Sequence, residues 1–191
     1  LADIDGKSML ERVVNRCLLA ELPNKLVVAT PNHQLVTFLN LTDLPISYFL
    51  GSENDVLGRS YQAALSVGAS TIVRITADCP LIDPKLIDAA LNYFFISELS
   101  YLSNLLTFPD GMDIEVMSIW ALENANREAS IPYDREHVTS YIRDHPERFN
   151  LGEMAHDTDL SRYHWSVDTP EDLVFVREVY EKLGDYFTLD D

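Results

Sequence analysis

Two aspartates that follow strand-like segments have the strongest potential for chemistry. Asp78 comes shortly after the apolar run Thr71–Thr76, and Asp168 comes directly after His164–Val167. A buried carboxylate is costly unless it is paired or bound to a metal. Two carboxylates, completed by water and phosphate oxygens, are a common way for proteins to hold Mg²⁺. The two aspartates are therefore candidate metal ligands, and the alternative that each only hydrogen-bonds within its own loop stays open.

Helix capping accounts for the other polar residues of the same two stretches. Asp83 precedes Pro84, which predicts an N-cap followed by proline in the first helical position. Thr169 and Pro170 predict the same start for the last helix. The earlier aspartate of each stretch is then left without a structural role. If the two preceding strands are parallel neighbours, both carboxylates lie at the carboxyl edge of the sheet, where open α/β sheets bind ligands.

Three other places carry polar residues suited to a ligand. Asp113 and Glu115 alternate along a predicted strand, so they share one face, which suits either solvent or a polar ligand. Arg74 interrupts an apolar strand, where a cation pairs with a carboxylate or reaches a ligand at the sheet edge. The loop 51–59 leads into a helix whose amino end could accept an anion, but its glycines match neither a dinucleotide nor a Walker pattern. His137 is either a ligand contact or a surface histidine.

The apolar periodicity predicts alternating short strands and helices. The predicted strands cover 25–30, 46–49, 71–76, 100–103, 112–118 and 164–167. The predicted helices cover 8–20, 55–67, 84 onward, 119–129, 134–144 and 170 onward. This order is typical of an α/β fold with a three-layer, mostly parallel sheet, and we expect one domain over residues 1–191.

Composition excludes several classes of function. The chain has 31 acidic and 14 basic residues and a formal net charge of −17, which disfavours nucleic-acid binding. A small anionic ligand would need local cations or a metal, and the charge could equally serve solubility alone.

No apolar run approaches the length of a membrane span. The two cysteines, Cys17 and Cys79, have neither disulfide nor zinc spacing, so we expect a cytoplasmic protein.

Five stretches in register carry a family resemblance over residues 1–183. They are GSENDVLGRSYQAA, VRITADCPLIDPKLID, FPDGMDIEV, DREHVTSYI and SVDTPEDL. The chain resembles the spore coat polysaccharide biosynthesis branch of the cytidylyltransferases, relatives of the enzymes that make CMP-activated KDO and sialic acid. The resemblance implies a nucleotide-diphospho-sugar transferase (GT-A-like) fold. It also implies Mg²⁺-dependent transfer of CMP from CTP to a sugar for surface polysaccharide synthesis, with release of pyrophosphate and a possible homodimer.

The resemblance also implies roles for individual residues. Asp78 and Asp168 match the family's metal-binding aspartates and are the expected catalytic residues. The residues expected on the acceptor side of the pocket are Asp113, Glu115 and His137. The residues expected on the nucleotide side are Arg74 and three residues of the 51–59 loop, Ser52, Asp55 and Arg59.

The sequence departs from the family pattern in two places. Family members carry a triphosphate-binding loop of the form Q-A-R-x-x-S-x-R-L-P-G-K after a first strand, and residues 1–191 contain neither. We expect this strand and loop to precede Leu1. If they are truly deleted, catalysis should fail. The stretch 101–111 is also shorter than expected, so residues could be missing there. An intact mass near 21.7 kDa would exclude both ideas.

Two other functions remain open at this point. A glycosyltransferase of the same fold would use a nucleotide-sugar donor, but such enzymes usually place a D-x-D motif after a central strand. In TADCP no second acid stands two residues after Asp78, which counts against it. A non-catalytic nucleotide-binding subunit is supported only by the absent phosphate loop. The sequence does not identify the acceptor sugar.

Overall fold

The computed structural model describes residues 2–35 and 44–191. Its strands are β1 (Asp3–Ile4), β2 (Lys7–Ser8), β3 (Val27–Thr30), β4 (Ser47–Leu50), β5 (Thr71–Arg74), β6 (Tyr101–Ser103), β7 (Glu115–Ser118) and β8 (Leu151–Glu153). Its helices are α1 (Met9–Leu18), α2 (Val56–Ser66), α3 (Pro84–Ile96), α4 (Ile119–Glu128), α5 (Pro132–Glu136), α6 (Ser140–Asp144) and α7 (Pro170–Leu183).

The direction of β7 sets the geometry of the largest described sheet. This sheet has the order β5-β7-β6-β8, with β7 antiparallel to both neighbours and β6 parallel to β8. A separate pair, β3 with β4, is parallel. Because β7 runs against its neighbours, its first residue, Glu115, lies beside the last residues of β5 and β6, which are Arg74 and Ser103. The stretch that precedes β7 therefore reaches the edge at which β5 and β6 end.

Helices cover both faces of this sheet, which confirms the three-layer α/β architecture. Leu102 and Val116 are buried on one face and pack with α3 and with residues at the end of α1. Tyr101 and Met117 are buried on the other face and pack with α2, α4 and α6. Each large apolar side chain removed from water contributes about 1.5–3 kcal/mol, so these two layers hold the sheet rigidly.

The predicted helix caps are present. Ser8 and Glu11 form a capping box at α1, and Thr169 and Asp172 form another at α7. The Asp83 side chain accepts a hydrogen bond from the Lys85 backbone N–H at the start of α3. An N-cap of this kind stabilises by about 1 kcal/mol.

Two predicted elements were wrong. The helix predicted over 134–144 is broken into α5 and α6, because Val138 has a positive φ of 55° that no helix accommodates. The strand predicted over 164–167 is reduced to a single bridge between His164 and Asp110. Backbone bonds from this segment go to two different turns, so no continuous ladder can form.

Two elements of the structure were not predicted. The strand β8 is only three residues long and contains a glycine, so its sequence gives no strand signal. The hairpin β1–β2 turns at Asp5-Gly6, where both φ angles are positive. Asp-Gly is the usual sequence of a type I′ hairpin turn, so this signal was available in the sequence. Within the described residues, no helix combines the length and apolar character needed to span a membrane.

Candidate functional site

Asp78 lies in a turn four residues after the end of β5. Its side chain is half-buried, and among the described residues its carboxylate receives only a weak hydrogen bond from the Cys79 thiol, 3.5 Å away. The neighbouring Asp83 is committed to the cap of α3 and also accepts from the Leu189 backbone N–H. The structure thus agrees with the capping argument, since the Asp78 carboxylate has almost no internal partner.

Asp168 lies next to the turn that holds Asp78. The Val167 backbone N–H donates to the Asp78 carbonyl oxygen at 2.9 Å, which brings the two predicted metal ligands to one junction. The Asp168 side chain is 58% exposed. Its Oδ2 atom accepts a hydrogen bond from Ser166 Oγ at 3.2 Å and lies 3.1 Å from His164 Nε2. Because the chain turns at both places, the two aspartates need not follow strands to meet.

A third aspartate joins this junction through the turn before β7. Asp110 Oδ2 lies 2.7 Å from His164 Nδ1, and the backbones of the two segments are bonded at Trp165 N–H to Asp110 O, 2.7 Å. Gly111 permits this approach, since a Cβ there would lie 2.4 Å from the Ser166 nitrogen, and its φ is +96°. Desolvation disfavours a charged imidazole, but the surrounding carboxylates outweigh it and raise the pKa of His164.

Asp113 completes a group that we name the carboxylate cluster, consisting of Asp78, Asp110, Asp113 and Asp168 with His164. Burial, together with the charge of Asp110, raises the pKa of Asp113 from 3.8 to about 6. Burial also raises the pKa of the Cys79 thiol, and the charges of Asp78 and Asp113 add to this effect. The Asp78 carboxylate lies 3.5 Å from this sulfur atom.

The donor set of the carboxylate cluster fits a divalent cation. Asp110, His164 and Asp168 each offer one ligand atom, and these atoms lie within 4.8 Å of one another. Aspartate oxygens are the hard ligands that Mg²⁺ prefers. Like charges held this close repel one another unless a cation compensates them, so the cluster has an electrostatic reason to bind one.

Asp113→Asn is expected to stabilise the metal-free protein above pH 6 and not below pH 4. An aspartate whose folded pKa is about 6 holds its proton more tightly in the folded state, so stability is lost as the pH rises from about 4 through 6. Removing the ionisable group should recover about 1–2 kcal/mol at pH 7.5, after allowance for partial exposure. Urea unfolding midpoints at pH 7.5 and pH 4.0, in EDTA, measure the difference, and equal differences at both pH values would contradict the prediction.

Glu115 lies at the centre of a buried network rather than in an open pocket. Its carboxylate accepts hydrogen bonds from Arg74 Nη1 at 2.5 Å, Tyr101 Oη at 2.5 Å and Thr139 Oγ1 at 2.6 Å. Only 4% of Glu115 is exposed. Asp113 belongs to the carboxylate cluster, whereas Glu115 pairs with Arg74. This is one of the two roles that the sequence allowed for Arg74.

The three predicted nucleotide-side residues of the 51–59 loop contact one another. The Ser52 Oγ accepts from the Asp55 backbone N–H, and the Ser52 carbonyl accepts from the Arg59 guanidinium. Asp55 caps α2 and pairs with Arg135 at 2.6 Å. Burial opposes ionisation of Asp55, but the Arg135 and Gly58 hydrogen bonds outweigh it and lower its pKa. Arg59 Nε is buried with no hydrogen-bond partner among the described residues.

His137 is exposed at the end of α5, with its ring 4.3 Å from the Tyr133 ring. Thr139, two residues later, is the residue of this stretch that turns inward to Glu115. Within residues 2–35 and 44–191, no hydrogen bond or ion pair connects His137 or the 51–59 loop to the carboxylate cluster. Their assignment to the substrate site therefore stays a prediction.

Sequence reasoning missed Asp110 and His164 as members of the cluster. Asp110 was explained by its turn and His164 by a predicted strand, so neither stood out. The one available signal was the spacing of four residues between His164 and Asp168, which is uninformative outside a helix.

Comparisons with known proteins agree on one family. A family model described as cytidylyltransferase matches residues 1–187. The spore coat polysaccharide biosynthesis protein SpsF of Bacillus subtilis is 30% identical over 85% of this chain and 69% of its own length. A solved cytidylyltransferase from Leptospira borgpetersenii has a TM-score of 0.90 and 30% identity, covering 97% of this chain and 81% of that one.

A more distant solved structure supports the fold alone. It is a CMP:2-keto-3-deoxy-manno-octonic acid synthetase complexed with CTP, with a TM-score of 0.73 and 17% identity. The likeness covers 95% of this chain and 91% of that one. The nucleotide-diphospho-sugar transferase fold expected from the sequence is thereby confirmed.

Proposed function

This chain belongs to the cytidylyltransferase family, and from that premise we propose that it transfers the CMP group of CTP to a sugar or sugar acid. A hydroxyl oxygen of the acceptor forms a bond to the α-phosphorus of CTP. The bond from the α-phosphorus to the bridging oxygen breaks, pyrophosphate leaves, and the hydroxyl proton passes to solvent. The observation that carries this proposal is the junction of Asp78 and Asp168 in a chain that matches the family over almost its whole length.

Two comparisons support the class of acceptor. The relative from Bacillus subtilis is named for spore coat polysaccharide biosynthesis, and the CTP-bound neighbour is a synthetase of a CMP-linked sugar acid. We therefore place the product of this chain in surface polysaccharide synthesis. The acceptor would be a sugar with a free hydroxyl group or, by analogy with the neighbour, a sugar acid that also carries a carboxylate.

In this proposal, Asp78 and Asp168 hold Mg²⁺. When bound, the ion would neutralise charge on the phosphates during transfer. Both carboxylates suit the role because each retains an oxygen atom that no described residue hydrogen-bonds. Asp113, which belongs to the same cluster, would contact the acceptor. Arg59, near the start of α2, would supply positive charge for the anionic nucleotide, since the Asp55 carboxylate already caps the amino end of this helix.

Pyrophosphate release tests the proposal. The protein is incubated with Mg²⁺, each of the four nucleoside triphosphates in turn, and a panel of sugar acids and amino sugars. We expect release with CTP and at least one acceptor, no release with the other triphosphates, and no release in EDTA. A protein that instead transfers sugar from a nucleotide-sugar donor, or that binds CTP without any release, would contradict it.

A further inference from the structure

We propose that His164 is a positioning residue that fixes the Asp168 carboxylate by tying it to Asp110. This inference rests on the proposed function, in which Asp168 holds the metal ion. In this role the His164 side chain neither binds the metal ion nor takes part in the reaction. It determines the direction of the Asp168 Oδ1 atom.

The imidazole of His164 bridges two carboxylates. Its Nδ1 atom lies 2.7 Å from Asp110 Oδ2, and its Nε2 atom lies 3.1 Å from Asp168 Oδ2. Asp172 Oδ2 lies farther away, 3.7 Å from Nε2. With a carboxylate oxygen beside each ring nitrogen, a protonated His164 has no lone pair to offer a cation. We therefore assign it to support Asp168 and not to act as the third ligand that its position alone would allow.

The Asp110 end of the bridge is held by the backbone. The Asp110 N–H donates to the Tyr163 carbonyl at 3.1 Å, and the Trp165 N–H donates to the Asp110 carbonyl at 2.7 Å. Gly111 lets the two chains approach so closely that a Cβ there would lie 2.5 Å from the Trp165 carbonyl carbon. These main-chain bonds hold Asp110 against the residues on either side of His164. They therefore fix the position of the His164 backbone relative to Asp110.

The Asp168 end of the bridge leaves one oxygen available. Both contacts to its carboxylate, from His164 Nε2 and from Ser166 Oγ, go to Oδ2. No described residue hydrogen-bonds to Oδ1. A carboxylate that is 58% exposed would otherwise sample several rotamers, and ordering it on metal binding would weaken the affinity for the ion. The bridge therefore orders Asp168 in advance and leaves Oδ1 for the ion.

The affinity of the metal-free protein for Mn²⁺, measured by electron paramagnetic resonance of the free ion, tests this role. Mn²⁺ takes the same oxygen ligands as Mg²⁺. We expect His164→Ala to weaken Mn²⁺ binding roughly 10- to 100-fold, the usual effect of losing a group that orients a metal ligand. His164→Gln, whose amide can still donate to Asp168, should recover part of this loss. His145→Ala, at a histidine whose ring stacks on Tyr141 and bonds the Tyr141 carbonyl, should leave the affinity for Mn²⁺ unchanged.

A second readout separates positioning from a general structural effect. In pyrophosphate assays, His164→Ala should require more Mg²⁺ for half-maximal rate, while the rate at saturating Mg²⁺ should approach that of the unchanged protein. A partly unfolded variant would instead lose rate at every Mg²⁺ concentration. Thermal unfolding of the same preparations confirms that the variant is folded.

The possible outcomes are distinct. If His164→Ala binds Mn²⁺ within twofold of the unchanged protein while Asp168→Asn does not bind, the positioning role is wrong and the metal site stands. If Asp168→Asn binds normally, the metal site of the proposed function is itself wrong. Nitrogen hyperfine coupling to bound Mn²⁺ that His164→Ala abolishes would make His164 a ligand and would also overturn the inference.

Discussion

Replacing Asp78 or Asp168 with asparagine is expected to reduce turnover roughly a thousandfold and to leave the protein folded. A bound metal ion contributes several kcal/mol of charge stabilisation in the transition state, and each 1.4 kcal/mol corresponds to about tenfold in rate. Asparagine keeps the shape of the side chain but removes the charge that holds the ion. The fold should not depend on either carboxylate, because among the described residues the Asp78 side chain accepts only a weak thiol bond, and the Asp168 side chain is largely exposed.

Two other aspartates provide matched controls for this experiment. Asp83 is 4% exposed and caps α3, so Asp83→Ala should cost about 1–2 kcal/mol of stability while the folded protein keeps its turnover. Asp157 is exposed in a loop, and Asp157→Asn should change neither quantity. Pyrophosphate release and the urea midpoint are measured for all four variants. Near-normal turnover of either asparagine variant at Asp78 or Asp168 would remove that residue from the proposed metal site.

Glu115→Ala is expected to have the largest effect on stability, a loss of about 3–5 kcal/mol. Removing one partner of a buried ion pair leaves the other charge uncompensated. The substitution also leaves the hydroxyl groups of Tyr101 and Thr139 without their acceptor. Both residues are buried, with 2% and 1% of their surface exposed. Since a domain of this kind is stable by about 5–15 kcal/mol, the variant should unfold at a much lower urea concentration.

Milder variants separate the structural role of Glu115 from the substrate-binding role predicted from the sequence. Glu115→Gln retains one acceptor oxygen for three donors and should cost about 1–3 kcal/mol. Tyr101→Phe removes one donor and should cost about 1 kcal/mol. Glu181→Ala, on the exposed side of α7, should change stability by less than about 0.5 kcal/mol. If Glu115→Gln kept full stability but raised the KM of the acceptor, Glu115 would be a substrate ligand after all.

Local signals in the sequence were sufficient for the helix starts and for one part of the site. A cap depends on residues three or four positions apart, so Ser8, Asp83 and Thr169 could be identified without knowing the fold. The same reasoning isolated Asp78 and Asp168 as carboxylates without a structural role. The resemblance then predicted the family and fold that the comparisons confirm.

Longer-range features of the site could not be read in this way. The sequence predicted that Asp78 and Asp168 meet because their strands are parallel neighbours. In the structure, 164–167 is not a strand, and the two residues meet through a bond between turns. The sequence predicted that Asp113 and Glu115 share one face. It did not reveal that Asp113 belongs to the carboxylate cluster while Glu115 is buried and hydrogen-bonded to Arg74, Tyr101 and Thr139.

The sequence by itself determined which carboxylates do not cap a helix, because capping depends on residues within one turn of the chain. Only the tertiary structure decided which of them meet. The antiparallel direction of β7 carries Asp110 and Asp113 to the edge where β5 ends, and the close approach at Gly111 places His164 between Asp110 and Asp168. Strand direction and backbone approach depend on pairing between segments more than forty residues apart, so no local pattern of residue types can specify them.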